Sequence, residues 1–123
     1  MLTGGNVTVY VSDMNQAVRF YTEVLGLELR ERVGDHWAAV DAGGGLVIGL
    51  HPATAEISAG RAGSMAIGFE ATAPIEQVVG ALKGKGVRFD AGVVGDKAGK
   101  FAFFADPDGN SCYLFQMTTA ATR

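Results

Sequence analysis

The sequence predicts an α+β fold of two paired βαβββ modules, whose strands form a curved mixed sheet with helices on the outer face and a concave cleft opposite. Three observations support this prediction. Short segments with alternating apolar residues are separated by glycine-rich turns. One amphipathic helical segment follows the first strand of each half. The two halves also match in pattern at an offset of roughly 60 residues, which indicates two copies of one supersecondary unit.

The composition is that of one small domain without disulfides. The chain has 123 residues, and Cys112 is its only cysteine, so no intrachain disulfide can form. No signal peptide pattern and no apolar run long enough to span a bilayer is present. A net charge of −3 argues against nucleic acid as a partner, because surfaces that bind phosphates are usually basic. We therefore expect a cytoplasmic protein with no nucleic-acid or membrane partner.

The first module is predicted over about residues 5–51. Asn6 to Ser12 alternates as a strand does, with its valines on the core face. Ser12 or Asp13 can cap the helix that follows, whose apolar residues recur at helical spacing until Gly26 ends it. Three further strands are predicted at 27–33, 36–41 and 46–51.

The second module is predicted over about residues 64–117. Residues 52–63 show no clear period and are predicted to be a linker, and residues 118–123 are predicted to be a frayed tail. Thr72 is a candidate helix cap, and Pro74 suits the first turn of a helix. The predicted strands and helix of this module are 64–70, 75–82 (helix), 87–93, 101–105 and 111–117.

The last two strands should form a hairpin around the turn at residues 106–109. Pro107 restricts φ to the value that the second turn position needs, and Gly109 tolerates positive φ. After the turn, alternation places Tyr113 and Phe115 on the cleft face. The same alternation places Cys112 toward the helices, where we expect it to act as a small core residue.

This organisation resembles the vicinal oxygen chelate superfamily, which includes glyoxalases, bleomycin resistance proteins and extradiol dioxygenases. The resemblance rests on two segments, V-Y-V-S-D-M-N-Q-A-V-R-F-Y-T-E-V-L-G-L at residues 9–27 and F-F-A-D-P-D-G-N-S-C-Y-L-F-Q at residues 103–116. Paired βαβββ modules are the architecture of that superfamily, so the resemblance covers nearly the whole chain. It also implies a homodimer.

The enzymes of that superfamily hold a divalent metal through His, Gln or Glu side chains on the first and last strands of each module. By position, those ligands correspond to Asn6, Gly49, Ser64 and Tyr113. None of them is a His, Glu or Gln, and a dication among neutral oxygens would be left nearly uncompensated. We therefore expect no metal, no cofactor and no catalytic residue, and the sequence favours binding over catalysis.

Alternation leaves small and aromatic side chains on the cleft face, which suits a small molecule held by stacking and a few hydrogen bonds. The sequence alone does not decide which face Trp37, Phe101, Phe103 and Phe104 occupy. An alternative is that the rings fill the cleft or form a dimer contact. The predicted ligand-binding residues are Asn6, Thr8, Tyr10, Trp37, His51, Ser64, Tyr113 and Phe115.

The favoured function is a metal-independent binding protein of the bleomycin-resistance type, which confers antibiotic resistance by sequestering an aromatic or amphipathic ligand. A glyoxalase-like lyase or isomerase, or a dioxygenase, is the first alternative, with Tyr113 and His51 as atypical metal ligands. A non-catalytic interaction module is the second. Metal analysis would separate the first two, and a closed cleft would favour the third.

Overall fold

The computed structural model describes residues 1, 6–60 and 66–117, so the predicted ligand-binding residue Ser64 and the predicted tail lie outside the described residues. The chain divides into two compact units. The first unit consists of Met1–Arg61 and Asp106–Asn110, and the second consists of Ala62–Ala105 and Ser111–Arg123. Each unit contains a four-stranded mixed sheet and the helical segment of its module, which confirms the predicted α+β fold.

The first sheet is built from four strands in the order β1-β4-β3-β2. β1 is parallel to β4, and the other neighbours are antiparallel. Period-2 alternation places Val9 and Val11 in the core, as predicted, while Val7 is half-buried. The strands are β1 (Asn6–Val11), β2 (Glu28–Val33), β3 (Trp37–Gly43) and β4 (Leu46–Pro52).

Helix α1 (Met14–Arg19) follows β1 and contacts β3 and β4. Its N-cap is Asp13, whose side chain accepts a hydrogen bond of 3.0 Å from the backbone N–H of Gln16. The chain continues as a π-helical turn over Phe20–Val24, a local widening that the apolar spacing did not predict. Gly26 then adopts φ +78°, which is the helix stop expected from the sequence.

The second sheet has the equivalent order β5-β8-β7-β6, with β5 parallel to β8. Helix α2 (Ile75–Gly84) contacts β6, β7 and β8. On the helix side, Lys100 Nζ donates to Glu76 Oε2 at 2.7 Å, and this hydrogen bond lowers the pKa of Glu76. The strands are β5 (Ala66–Glu70), β6 (Phe89–Gly95), β7 (Gly99–Ala105) and β8 (Ser111–Met117). In the described segments, no helix has the length and apolar character needed to cross a membrane.

The cap of α2 differs from the sequence prediction. Its N-cap residue is Pro74, not Thr72, and proline has no side chain that can accept a hydrogen bond. Gln116 of β8 takes over this role. Its Oε1 accepts from the backbone N–H of Ile75 at 3.0 Å, and its Nε2 donates to the carbonyl of Ala73 at 2.8 Å. A side chain distant in sequence therefore supplies the hydrogen-bond acceptor for a backbone N–H at the start of the helix.

The turn at Asp106–Asn110 connects β7 to β8 and belongs to the first unit. Asp106 is buried, and its carboxylate accepts hydrogen bonds from Tyr21 Oη (2.9 Å) and from the backbone N–H groups of Asp108 (3.0 Å) and Asn110 (2.8 Å). Asn110 Nδ2 donates to the same carboxylate at 2.8 Å. Asp108 in turn accepts from the backbone N–H and the hydroxyl of Ser12. These bonds hold the turn against the end of β1 and the start of α1.

Candidate functional site

Three of the predicted ligand-binding rings lie in one line across the first sheet. The register of β1 and β4 pairs Tyr10 with His51. Because Ala38 pairs with Leu50, the next residues outward, Trp37 and His51, are also neighbours. The ring centroids of Tyr10 and His51 are 6.1 Å apart at 47°, and those of Trp37 and His51 are 6.4 Å apart at 17°. We call Tyr10, His51 and Trp37 the ring row.

All three side chains of the ring row are half-buried, so part of each ring remains open to solvent. Centroid distances of this size are typical of interacting aromatic side chains, which hold one another in place. The structure therefore resolves the open question about Trp37, which faces the same side of the sheet as His51. A ligand with a flat ring would meet a preformed aromatic surface there.

Small and polar residues lie beside the ring row on the same face. Thr8 and Ala39 both pair with Gly49, and Asn6 pairs with Val47 one step further along. A Cβ built on Gly49 would lie 3.7 Å from His51 Nε2, so the imidazole lies next to the glycine on this face. Asn6 and Thr8 are exposed on the face where alternation predicted them.

The second sheet carries another group of rings on the face opposite α2. Tyr113 pairs with Phe103, and Phe115 pairs with Phe101. The centroids of Phe103 and Tyr113 are 5.6 Å apart, and those of Tyr113 and Phe115 are 6.1 Å apart. Phe103 is 44% exposed. We call Phe101, Phe103, Tyr113 and Phe115 the second ring face.

Alternation alone does not assign Phe101 and Phe103 to a face, although the pairing of the hairpin does. Ala105 pairs with Ser111 across the turn, so counting outward by two gives the pairs of Phe103 with Tyr113 and of Phe101 with Phe115. Phe104 pairs with Cys112 on the opposite face, and both are buried there. Cys112 is thus a core residue, as predicted.

Gly68 allows the Tyr113 ring to lie flat across β5. The two residues are paired, and a Cβ built on Gly68 would lie 2.5 Å from Tyr113 Cζ and 2.7 Å from its Oη. No other residue type at position 68 leaves room for the ring in this orientation. Gly68 therefore sets the direction of a predicted ligand-binding side chain.

We expect Gly68→Ala to turn the Tyr113 ring away from β5. The ring is the end of a flexible side chain and can move, so the free energy of unfolding should fall by less than about 1 kcal/mol. NMR should show altered Tyr113 ring shifts and nuclear Overhauser contacts to Phe103. Gly80→Ala in α2, where a Cβ meets nothing within 4 Å, is the control and should leave Tyr113 unaffected. Unchanged Tyr113 signals in Gly68→Ala would contradict this role.

The four positions that correspond to family metal ligands do not fit a divalent metal. Asn6 offers a neutral carboxamide, Gly49 has no side chain, and the Tyr113 phenol lies across Gly68. Ser64 lies outside the described residues. Within the described part of the chain, no three His, Cys, Asp or Glu side chains form a group that could hold a metal ion. Neutral donors leave a dication uncompensated, so we derive no chemical step through a metal here.

Two βαβββ modules, each with a helix on one sheet face and partly open rings on the other, define a small α+β scaffold. The chain belongs to the Glyoxalase/Bleomycin resistance protein/Dioxygenase superfamily, whose family model matches residues 5–112. This confirms the resemblance found in the sequence. No curated protein sequence matches the chain.

Several solved structures are similar to this protein over nearly the whole chain. TnmS3, an antibiotic binding protein from Streptomyces sp. CB03234, is 27% identical with a TM-score of 0.80, and the match covers 96% of this chain and 98% of TnmS3. A glyoxalase/bleomycin resistance protein from the same organism is 27% identical with a TM-score of 0.74, covering 91% and 98%. Virulence protein STM3117 from Salmonella typhimurium is 26% identical with a TM-score of 0.75, covering 96% and 98%.

Proposed function

We propose that this protein is a metal-independent binding protein that sequesters a planar aromatic or amphipathic small molecule on the ring row of its first unit. The observation that carries the proposal is the line of three partly open rings on adjacent strands, Tyr10, His51 and Trp37. The similarity to an antibiotic binding protein supports small-molecule binding as the class of function.

The chemistry of the ring row suits such a ligand. Aromatic faces gain from offset stacking beyond the area that they bury, and Trp37 offers the largest face of the three. The hydroxyl of Tyr10 and the ring nitrogens of His51 can donate or accept hydrogen bonds at the edge of a stacked ligand. Thr8 and Asn6 add exposed polar groups on the same face. A few polar groups around an apolar surface are the usual composition of small-molecule sites.

The proposal assigns different parts to the predicted ligand-binding residues. Tyr10, His51 and Trp37 stack against the ligand, and Asn6 and Thr8 provide polar contacts. Tyr113 and Phe115 lie on the second ring face, and ligand binding by these two residues stays a prediction from the sequence. Ligand binding by Ser64, a homodimer and a cytoplasmic location stay predictions from the sequence.

The proposal predicts that Trp37→Ala will weaken binding of a flat aromatic compound. Acridone, a neutral three-ring molecule, is a suitable probe, and calorimetry measures its affinity without relying on the fluorescence of Trp37, the only tryptophan. Loss of the largest aromatic anchor of the ring row should cost about 10- to 100-fold in affinity. The titration is run with and without EDTA, so the two measurements together test whether binding needs a metal.

Leu29→Ala is the matched control, because Leu29 is an exposed apolar residue of the same unit that pairs with the core residue Val40 and so faces the opposite side of the sheet. It should bind acridone as the wild type does. Absence of acridone binding, equal affinity in Trp37→Ala, or binding abolished by EDTA would each contradict the proposal. Dependence on a divalent metal would favour the enzymatic alternative instead.

A further inference from the structure

Carboxylates of β2 and β3 share a face with the ring row. The antiparallel register pairs Glu28 with Asp41, Glu31 with Ala39, and Val33 with Trp37. Directly paired residues of neighbouring strands project to the same side of a sheet. Glu28, Glu31 and Asp41 therefore lie on the side that carries Trp37.

The charges on this face do not cancel. Arg30 Nε lies 3.5 Å from Asp41 Oδ2 and compensates that carboxylate. Arg32 pairs with Ala38 and so projects to the opposite side, where its Nη2 donates to Asn15 Oδ1 at 2.7 Å. Glu28 and Glu31 are exposed, and within residues 6–60 and 66–117 neither forms an ion pair. The ring row is thus bordered by net negative charge.

Distance along the strands distinguishes the carboxylates. Glu31 precedes Val33, the residue paired with Trp37, by two positions, which is about 7 Å along the strand and about 8–9 Å from Trp37 when the spacing between the two strands is included. Asp41 and its partner Glu28 lie four strand positions from the pair of Trp37 and Val33, which is about 13 Å along the strand. Interactions between exposed charges are largely screened beyond about 8–10 Å in physiological salt. Of these groups, Glu31 is the one whose charge reaches a ligand on Trp37.

Resting on the proposed function, we propose that the ring row selects positively charged aromatic ligands and that Glu31 is a specificity-determining residue. The face of an indole or phenol attracts a cation through its quadrupole, and the Glu31 carboxylate acts in the same direction. An anionic ligand of equal size meets repulsion from the same carboxylate. A neutral ligand keeps the stacking energy and gains nothing from the charge.

Three ligands of one shape separate charge from stacking: 9-aminoacridine as the cation, acridone as the neutral compound and acridine-9-carboxylate as the anion. We expect affinity to fall in that order for the wild type. Glu31→Gln should lower the affinity for the cation by about two- to fivefold and raise the affinity for the anion by a similar factor, as for the loss of an exposed ion pair. Acridone should be unaffected, and added salt should reduce the preference of the wild type.

Glu28→Gln is the matched control, since it removes the same charge from the same strand and face at the greater distance. It should change each affinity by less than about twofold. Both glutamates are exposed, so neither variant should affect folding, and thermal melts verify this. If acridone binds but Glu31→Gln leaves the cation preference unchanged, the role of Glu31 is wrong while the proposed function stands. If none of the three compounds binds, both are wrong.

Discussion

Asp106→Ala is expected to lower the free energy of unfolding by about 3–5 kcal/mol, measured by urea denaturation. The Asp106 carboxylate is 5% exposed and accepts four hydrogen bonds from three residues of the same unit, Tyr21, Asp108 and Asn110. Alanine removes all four acceptor interactions at once. The Tyr21 hydroxyl, whose residue is fully buried, then loses a charged acceptor without access to water.

Two further variants identify the cause of that loss. Tyr21→Phe removes only one of the four hydrogen bonds to Asp106 and should lower the free energy of unfolding by about 1–3 kcal/mol. Asp90→Ala removes an exposed aspartate from β6 and should cost less than about 0.5 kcal/mol. If Asp106→Ala were as mild as Asp90→Ala, the buried hydrogen-bond network would not be a main source of stability in this unit.

Gly60→Ala is expected to lower the free energy of unfolding by about 2–4 kcal/mol. A Cβ at this position collides with a backbone group, and alanine is also strained at the positive φ of Gly60. Gly60 adopts φ +75°, and a Cβ built on it would overlap the carbonyl oxygen of Asp108. The colliding group is backbone and cannot rotate away as the end of a flexible side chain can, so the turn that contains Asp108 must shift. Asp108 should then lose its hydrogen bonds to Ser12, which amide NMR of Ser12 can detect.

Gly92→Ala separates the collision from the backbone strain. Gly92 has nearly the same φ, +72°, but a Cβ there meets nothing within 4 Å. This variant should lower the free energy of unfolding by only about 1–2 kcal/mol, which is the penalty of the left-handed conformation alone. Equal losses in the two variants would mean that the approach of Gly60 to Asp108 contributes nothing to stability.

Strand and helix positions were predictable because their signals are local. Val9 and Val11 alternate with Thr8 and Tyr10 within one strand, so period 2 assigns their faces without knowledge of any neighbour. The cap of α1 was predictable for the same reason, because Asp13 bonds to an N–H only three residues away. The cap of α2 was not, because Gln116 acts from 41 positions beyond Ile75.

The candidate site shows the same division. Alternation placed Tyr10 and His51 on the open face, whereas the position of Trp37 depended on its pairing across β3 and β4. The carboxylate of Glu31 was not assigned to the site from the sequence, since a bulge between Leu29 and Glu31 shifts the register of β2. A shift of one residue moves every following side chain to the other face, and consecutive residues alone carry only weak information about it.

By itself, the sequence determined two βαβββ modules, their turns, and which residues share a face in strands without a bulge, since these follow from dihedral preferences and periodicities of neighbouring residues. Only the tertiary structure decided which faces meet across strands: the line of Tyr10, His51 and Trp37, and the bond from Tyr21 to Asp106, 85 positions later. The physical reason is that register and long-range hydrogen bonds depend on how distant segments pack together, which no local pattern encodes.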